Sequence, residues 1–332
     1  MLIRKPSYFD TFRCIADRCP DSCCKEWDVL VDPDKADFYR ALPGDLGDRL
    51  RQVLKDEDGD VYMTIENRRC PMWRPDGLCR IQAELGEEAL CKTCREFPRL
   101  NHDYGNFIEY GLELSCPEAA RIILGTPSPD FVTDEVPGGE DPEYDALDME
   151  ILLHTRNTAR AILADSAYSV GEALLLLIMY TYHAQSMLNT GEILPFDHAA
   201  TLLEHARQYV QKGDMQAILD FFKTLEILTP EWESRLKTPT PAGWDDVFRT
   251  FARYFVDRYW LQAISDLDLI SRAKFAVVSC LVVKALGGDV LQTAQLYSKE
   301  IENSIENVEA VLDAVYTNPI FADAYLTDLL LF

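Results

Sequence analysis

The stretch Phe12-Arg-Cys14-Ile-Ala-Asp-Arg-Cys19-Pro-Asp-Ser-Cys23-Cys24 opens a run of nine cysteines that continues through Cys70, Cys79, Cys91 and Cys94 and closes at Cys116-Pro117. Thiolates are the soft ligands that zinc and iron–sulfur clusters take, and the Cys91-x2-Cys94 turn brings two sulfurs to one metal or cluster. A region so rich in cysteine and so poor in long regular elements needs a metal to staple it. The tenth cysteine, Cys280, lies among Val277, Val278, Leu281 and Val282 and reads as a small buried hydrophobe outside any metal site.

Three readings of the nine thiols compete: one or two zinc sites, one iron–sulfur cluster with extra thiols, and a disulfide framework. The first ten residues lack an apolar signal region with a small-residue cleavage site, so a reducing, cytoplasmic setting is expected, which disfavours disulfides. A zinc ribbon uses two separated C-x2-C knuckles, whereas only one is present here. A cysteine followed by proline, as at Cys116-Pro117, also closes some cluster-binding runs.

The chain has 332 residues, 48% hydrophobic and 27% charged, the composition of a globular protein with a sizeable core. Lys and Arg number 32 against 56 Asp and Glu, a formal charge of −24 that repels phosphate backbones and anionic membrane surfaces. Nucleic acid is therefore excluded as a partner, and a basic, lysine-bearing protein is favoured. The longest apolar run, 173–180, falls far short of the roughly 20 residues of a membrane span.

The expected fold is mainly α: an irregular, cysteine-rich metal-binding domain over 1–125, a linker over 126–148 rich in proline, glycine and acids, and an all-α domain over 149–332. Helical apolar spacing predicts helices near 149–164, 170–188, 196–212, 214–226, 244–264, 267–286, 290–315 and 319–331. The clearest stripe is Ile301, Ile305, Val308, Val311, Leu312 and Val315. In the first domain short helices are expected over 35–42, 45–54 and 84–94, a short strand over 28–32, and pairing between 61–66 and 106–114.

The run quoted above, continued by Lys25-Glu-Trp27, Arg69-Cys70-Pro-Met-Trp73, Leu78-Cys79-Arg-Ile, Leu90-Cys91-Lys-Thr-Cys94-Arg-Glu-Phe-Pro98-Arg99 and Leu114-Ser-Cys116-Pro-Glu-Ala-Ala120, resembles the flagellin lysine-N-methylase (FliB) family. The double cysteine and the Cys94-Arg-Glu-Phe-Pro element are also similar to the YkgJ-type zinc- or iron-chelating family. The resemblance implies methyl transfer from S-adenosylmethionine to the ε-nitrogen of lysine on a protein, flagellin being the namesake substrate, by an enzyme with a [4Fe-4S] cluster. No glycine-rich loop lies in a strand–loop–helix context, so a Rossmann-like cofactor fold is excluded. The C-x3-C-x2-C signature of common radical enzymes would need cysteine at position 26, where Glu26 stands.

On this reading Cys19, Cys23, Cys79, Cys94 and Cys116 lead as ligands, with Cys14, Cys24, Cys70 and Cys91 completing a second site or guarding the first. The rival functions are a non-enzymatic zinc-binding adaptor and an iron–sulfur electron-transfer protein. Trp27, Trp73 and Phe97 are placed to exclude water from a metal centre, and Arg95 and Arg99 to neutralise it or bind a carboxylate. Glu109 and Glu113, four apart, are expected on one side, either solvated or holding a substrate ammonium; Tyr104 and Tyr110 are weaker cation-binding candidates. His102, His154, His183, His198 and His205 show no metal-binding spacing and read as structural. No residue is assigned as general base.

Overall fold

The computed structural model describes residues 1–25 and 29–332 and is mainly α-helical. Its strands are β1 Leu2–Pro6, β2 Val29–Val31, β3 Leu54–Glu57, β4 Asp60–Met63, β5 Arg99–Asp103, β6 Phe107–Leu112 and β7 Phe131–Glu135. The helices of the first half are α1 Pro33–Ala41, α2 Gly44–Val53, α3 Arg80–Leu85, α4 Lys92–Glu96 and α5 Pro117–Leu124. From residue 146 onward the described chain forms α6 Ala146–Ala164, α7 Val170–Thr190, α8 Ala199–Gln208, α9 Met215–Phe222, α10 Pro230–Lys237, α11 Val247–Tyr259, α12 Leu269–Leu286, α13 Val290–Ile301, α14 Ile305–Thr317 and α15 Asp323–Leu331.

Local chemistry sets most of these ends. Asp145, Ser169, Asp214, Thr229, Asp268, Asp289 and Ser304 cap helices by accepting a backbone N–H, and Ser169 forms a reciprocal capping box with Glu172. The single helix expected over 290–315 is two, because Ser304 starts a new one and α14 follows with its own cap. Helix α10 was not expected, although Thr229-Pro230 is a start signal of cap followed by proline at the first helical position. The helix expected over 84–94 is broken at Gly86, whose φ of +89° no ordinary residue adopts readily.

The expected pairing of 61–66 with 106–114 does not occur. Asp58 and Gly59 both have positive φ and close a tight hairpin, so β4 pairs antiparallel with β3 on one side and β2 on the other. Strand β6 instead belongs to a four-stranded sheet ordered β5-β6-β1-β7, in which β1 runs parallel to β6 and antiparallel to β7. The segment 126–148 thus contributes a strand, matched residue for residue to Leu2–Pro6.

Two hydrophobic cores result. The larger is built around α12, buried along nearly its whole length against α7, α11, α13 and α14, and it also takes in Phe12, Phe107, Leu112, Leu114, Cys116 and α5. Cys280 lies there, fully buried, as expected. The smaller joins Val29, Val31, Tyr39, Leu46, Leu50, Met63, Met72, Ile81 and Leu90 with Cys70 and Cys91. Among the described residues no helix is long and apolar enough to cross a membrane.

A buried polar seam fastens the four-stranded sheet to the helices. Arg156 of α6 binds both carboxylate oxygens of Glu109 on β6, with Nη2 to Oε2 at 2.8 Å, and Arg160 pairs with Asp257 of α11. The Arg160 guanidinium lies 4.3 Å from the ring centre of Phe131 on β7, a cation–π contact that seals the sheet edge. Because Arg156 is wholly buried, Glu109→Ala leaves an uncompensated internal charge, and a loss of about 3–5 kcal/mol is expected in chemical denaturation.

Glu300 of α13 is a second buried acid. Its Oε2 accepts the Leu228 N–H at 2.8 Å, Oε1 has no partner, and burial raises its pKa from 4.5 to about 7. A carboxyl whose folded value exceeds its unfolded value stabilises fully below about 4.5, and that stabilisation is lost as pH rises through about 7. Wild-type stability is therefore expected to fall by up to roughly 3 kcal/mol between pH 4.5 and 8 relative to Glu300→Gln, measured from urea midpoints across that range.

Candidate metal centre

Cys14, Cys19, Cys23, Cys24, Cys70, Cys79, Cys91, Cys94 and Cys116 all line one cavity of about 650 Å³. Their supports are short and local. Cys14 and Cys19 flank a single 3-10 turn, Ala16–Arg18, in which Ala16 takes a φ of +49° and donates its N–H to Cys14 Sγ at 3.4 Å. The Cys70 N–H donates to the Cys24 carbonyl at 2.8 Å, and Trp73 pairs with Cys79 as a backbone bridge. Cys79, Cys91 and Cys116 are the residues that precede α3, α4 and α5, so each sulfur sits at a helix start where unpaired amides favour negative charge. Pro117 is thus the first residue of α5 as well as the partner of Cys116.

The thiols influence one another around the whole cavity. Cys23 is affected most by Cys24 and then by Cys14 and Cys116, Cys116 by Cys19 and Cys14, and Cys19 by Cys14. Cys70 is affected by Cys24, Cys79 and Cys91, and Cys94 by Cys91, Cys24 and Cys70. Burial pushes Cys70 up to about 12 and Cys116 to about 11, and raises Cys19 and Cys79 as well. Two pairs share a proton: a hydrogen bond from Cys23 lowers Cys24 to about 7, and one from Cys94 lowers Cys91. Such a wall keeps most of its protons until a cation replaces them, so metal uptake releases acid. Nine soft donors around a space of this size fit a thiolate-bound metal group. Among the described residues, no three His, Cys, Asp or Glu side chains form a ready-made site for a single ion.

The helical body supplies the opposite wall. Lys299 and Glu302, together with Asn303, Glu113 and Ser115, line the cavity, as do Arg95, Arg99 and Phe97. The hub is Asp21: Oδ2 meets Lys299 Nζ at 2.9 Å and Gln295 Nε2 at 3.3 Å, while Oδ1 accepts from Lys25 at 3.0 Å. Gln295 also donates to the Ser115 carbonyl at 2.6 Å, which ties the Cys19–Cys23 loop to the Cys116 turn through one helix. Lys299, Lys25 and their hydrogen bonds hold the Asp21 carboxyl below its usual value against its burial. Glu302 accepts from Tyr254 and Tyr259 and pairs with Arg258 at 3.0 Å. Burial raises Glu113, which accepts from Ser115 Oγ at 2.9 Å.

Other expected residues divide. Glu109 and Glu113 do not share a side, because β6 ends at Leu112: Glu109 faces Arg156 and Glu113 the cavity. Tyr104 stacks on Phe107 and Tyr110 packs against Phe9, and neither is among the described residues lining the thiol cavity. Trp73 carries Arg69 4.3 Å from its ring centre, while Arg99 lies 5.2 Å from that of Phe12. Trp27 and Glu26 lie outside the described residues. His183 and His198 approach to 5.9 Å between ring centres. Asp21, Gln295, Lys299 and Glu302 were missed. The last three recur at i, i+4 and i+7, a spacing that looks like one solvent face of α13 and its C-cap until the cysteine loop covers Gln295 and Lys299 and α11 covers Glu302.

The mainly helical chain walls one cavity with thiols on one side and charged side chains on the other, a donor set that a thiolate-bound metal group would fit. No family model matches the chain and no solved structure matches it. It is similar to the lysine-N-methylase of Salmonella typhimurium (strain LT2), with 33% identity over 132 residues, 38% of this chain and 33% of that protein. The lysine-N-methylase of Salmonella choleraesuis is matched to the same extent. The flagellar biosynthetic protein FliU of Salmonella muenchen is also 33% identical over 132 residues, which cover 78% of FliU. The chain belongs to the lysine-N-methylase (FliB) family, although the match spans about a third of the length of the lysine-N-methylases themselves.

Removing the hub charge with Asp21→Asn is expected to free the loop. In timed alkylation of the apoprotein read by mass spectrometry, Cys14, Cys19 and Cys23 should react about tenfold faster, the factor for losing about 1.4 kcal/mol. Cys70 and Cys91 should be unchanged.

Proposed function

We propose that the chain is an S-adenosylmethionine-dependent protein lysine N-methyltransferase with a [4Fe-4S] cluster held by cavity thiols, acting in the cytoplasm. The observation that carries the reading is the gathering of nine cysteines around one cavity in a member of a family with relatives named lysine-N-methylase. A cluster of this kind supplies an electron or a Lewis-acidic iron, and S-adenosylmethionine the methyl group. The Phe12 and Phe97 side chains on the cavity wall exclude water, and Arg95 and Arg99 offer guanidinium groups to a carboxylate.

The target amine must lose its proton before it can attack. Glu113 faces the same cavity with a carboxyl whose pKa burial has raised, which suits it to take that proton. Glu302, paired with Arg258, holds that guanidinium away from the incoming ammonium. The overall charge of −24 attracts a lysine-bearing protein and repels nucleic acid. Flagellin is the substrate to try first, in keeping with the name of FliU.

Anaerobically purified protein incubated with methyl-labelled S-adenosylmethionine and flagellin is expected to place label on lysine ε-nitrogens, read by peptide mass spectrometry. Glu113→Gln should slow transfer by about 100-fold or more at unchanged metal content. A colourless protein with zinc and no transfer would overturn the reading in favour of an adaptor. A cluster whose paramagnetic signal ignores S-adenosylmethionine, again with no transfer, would overturn it in favour of electron transfer.

A further inference from the structure

Nine thiols are more than one four-thiolate centre uses, and the fold sorts them. Cys116 belongs to the large core together with Phe12, the residue two before Cys14. Cys19 and Cys23 flank Asp21, which Lys299 and Gln295 hold to α13, and Gln295 holds the Ser115 carbonyl next to Cys116 as well. Cys70 and Cys91 are buried in the small core, and Cys24 and Cys79 pack against it. Cys94 follows Cys91 on α4, which is fixed to the same core by Thr93 donating to the Leu30 carbonyl at 2.8 Å and Lys92 N–H donating to Asp32.

We propose that these are two separate thiolate metal centres: a junction centre of Cys14, Cys19, Cys23 and Cys116, and a module centre drawn from Cys24, Cys70, Cys79, Cys91 and Cys94. The peptide bond between Cys23 and Cys24 is the boundary, so the two centres are neighbours across one linkage. Their surroundings differ. The junction centre faces Lys299, Ser115 and Glu113 and is open to polar ligands, with Cys14 and Cys23 exposed. The module centre is backed by the apolar side chains Tyr39, Met63, Met72, Ile81 and Leu90, with Cys70 and Cys91 buried and Cys94 exposed at its rim, a setting that suits a four-thiolate group. Each centre forms by exchanging thiol protons for metal–sulfur bonds, with no change in the oxidation state of sulfur. The shared chemistry is a tetrathiolate centre, filled either by an iron–sulfur cluster or by zinc.

This deepens the proposed function without depending on methyl transfer: one centre alone would refute the partition and leave the methyltransferase reading standing. The test is iron, sulfide and zinc quantification on the anaerobically purified full chain. Two centres give roughly eight iron and eight sulfide per chain, or about four of each with one zinc; either supports the proposal. A single centre, as about four iron and no zinc or one zinc and no iron, overturns it whatever the variants do. Cys14→Ser/Cys116→Ser is expected to halve a two-cluster iron content, or to remove one metal type in the mixed case, and Cys79→Ser/Cys91→Ser to remove the complementary share. Loss of all metal from both double variants with helical circular dichroism intact would also overturn it.

Discussion

Arg156 is sealed inside the protein, and a buried guanidinium without its carboxylate is several kcal/mol less favourable than one with it. Glu109, its bidentate partner, therefore cannot be elsewhere, and with it β6 is fixed against α6. Everything that follows β6 inherits that position. Glu113 comes one residue after the strand, then Ser115, then Cys116 at the start of α5. The parallel pairing of β1 with β6 sets the chain direction from which the Cys14 loop departs. A single desolvated ion pair thus sets the register of one half of the thiol wall relative to the helices.

The other half obeys a different constraint. The module between β2 and α4 has a small core in which two of the buried side chains are themselves cysteines. Apolar burial drives folding there, yet the same burial raises Cys70 and Cys79 and keeps their sulfurs protonated. A metal bound as proposed would reverse the conflict, because a metal–thiolate bond replaces the proton that a dry environment otherwise retains. Packing and ligation would then act together on the short hairpins and helices of this region.

Much of this was legible in the sequence, for reasons that differ by element. Most helices after residue 146 declare themselves by apolar spacing, since they bury a stripe against α7, α11 or α12, whereas α10, which packs on α13, does not. Asp145, Ser169 and Asp268 mark starts because few other residue types can accept an orphan amide there. The nine cysteines announced a common site because sulfur has few other reasons to be so concentrated. What periodicity could not give was the second face of α13. Gln295, Lys299 and Glu302 look solvent-facing from local pattern; a loop 274 to 278 residues earlier in the chain meets the first two, and Tyr254, Tyr259 and Arg258 of α11 meet the third. Glu109 failed for a related reason, because an acid on a strand carries no local sign that an arginine waits across the interface. The Asp58-Gly59 turn, by contrast, was a local signal that settles which strand β4 pairs with.

The reach of that last contact has a consequence in time. Asp21 leaves the ribosome 278 residues ahead of Lys299, yet the Cys19–Cys23 loop is held through their meeting. The N-terminal sulfurs can be synthesised, and can encounter metal, long before the surface that arranges them exists. Any metal taken up in the native arrangement would therefore wait for α13, and a chain that stops short of it presents the same thiols without the surface that arranges them.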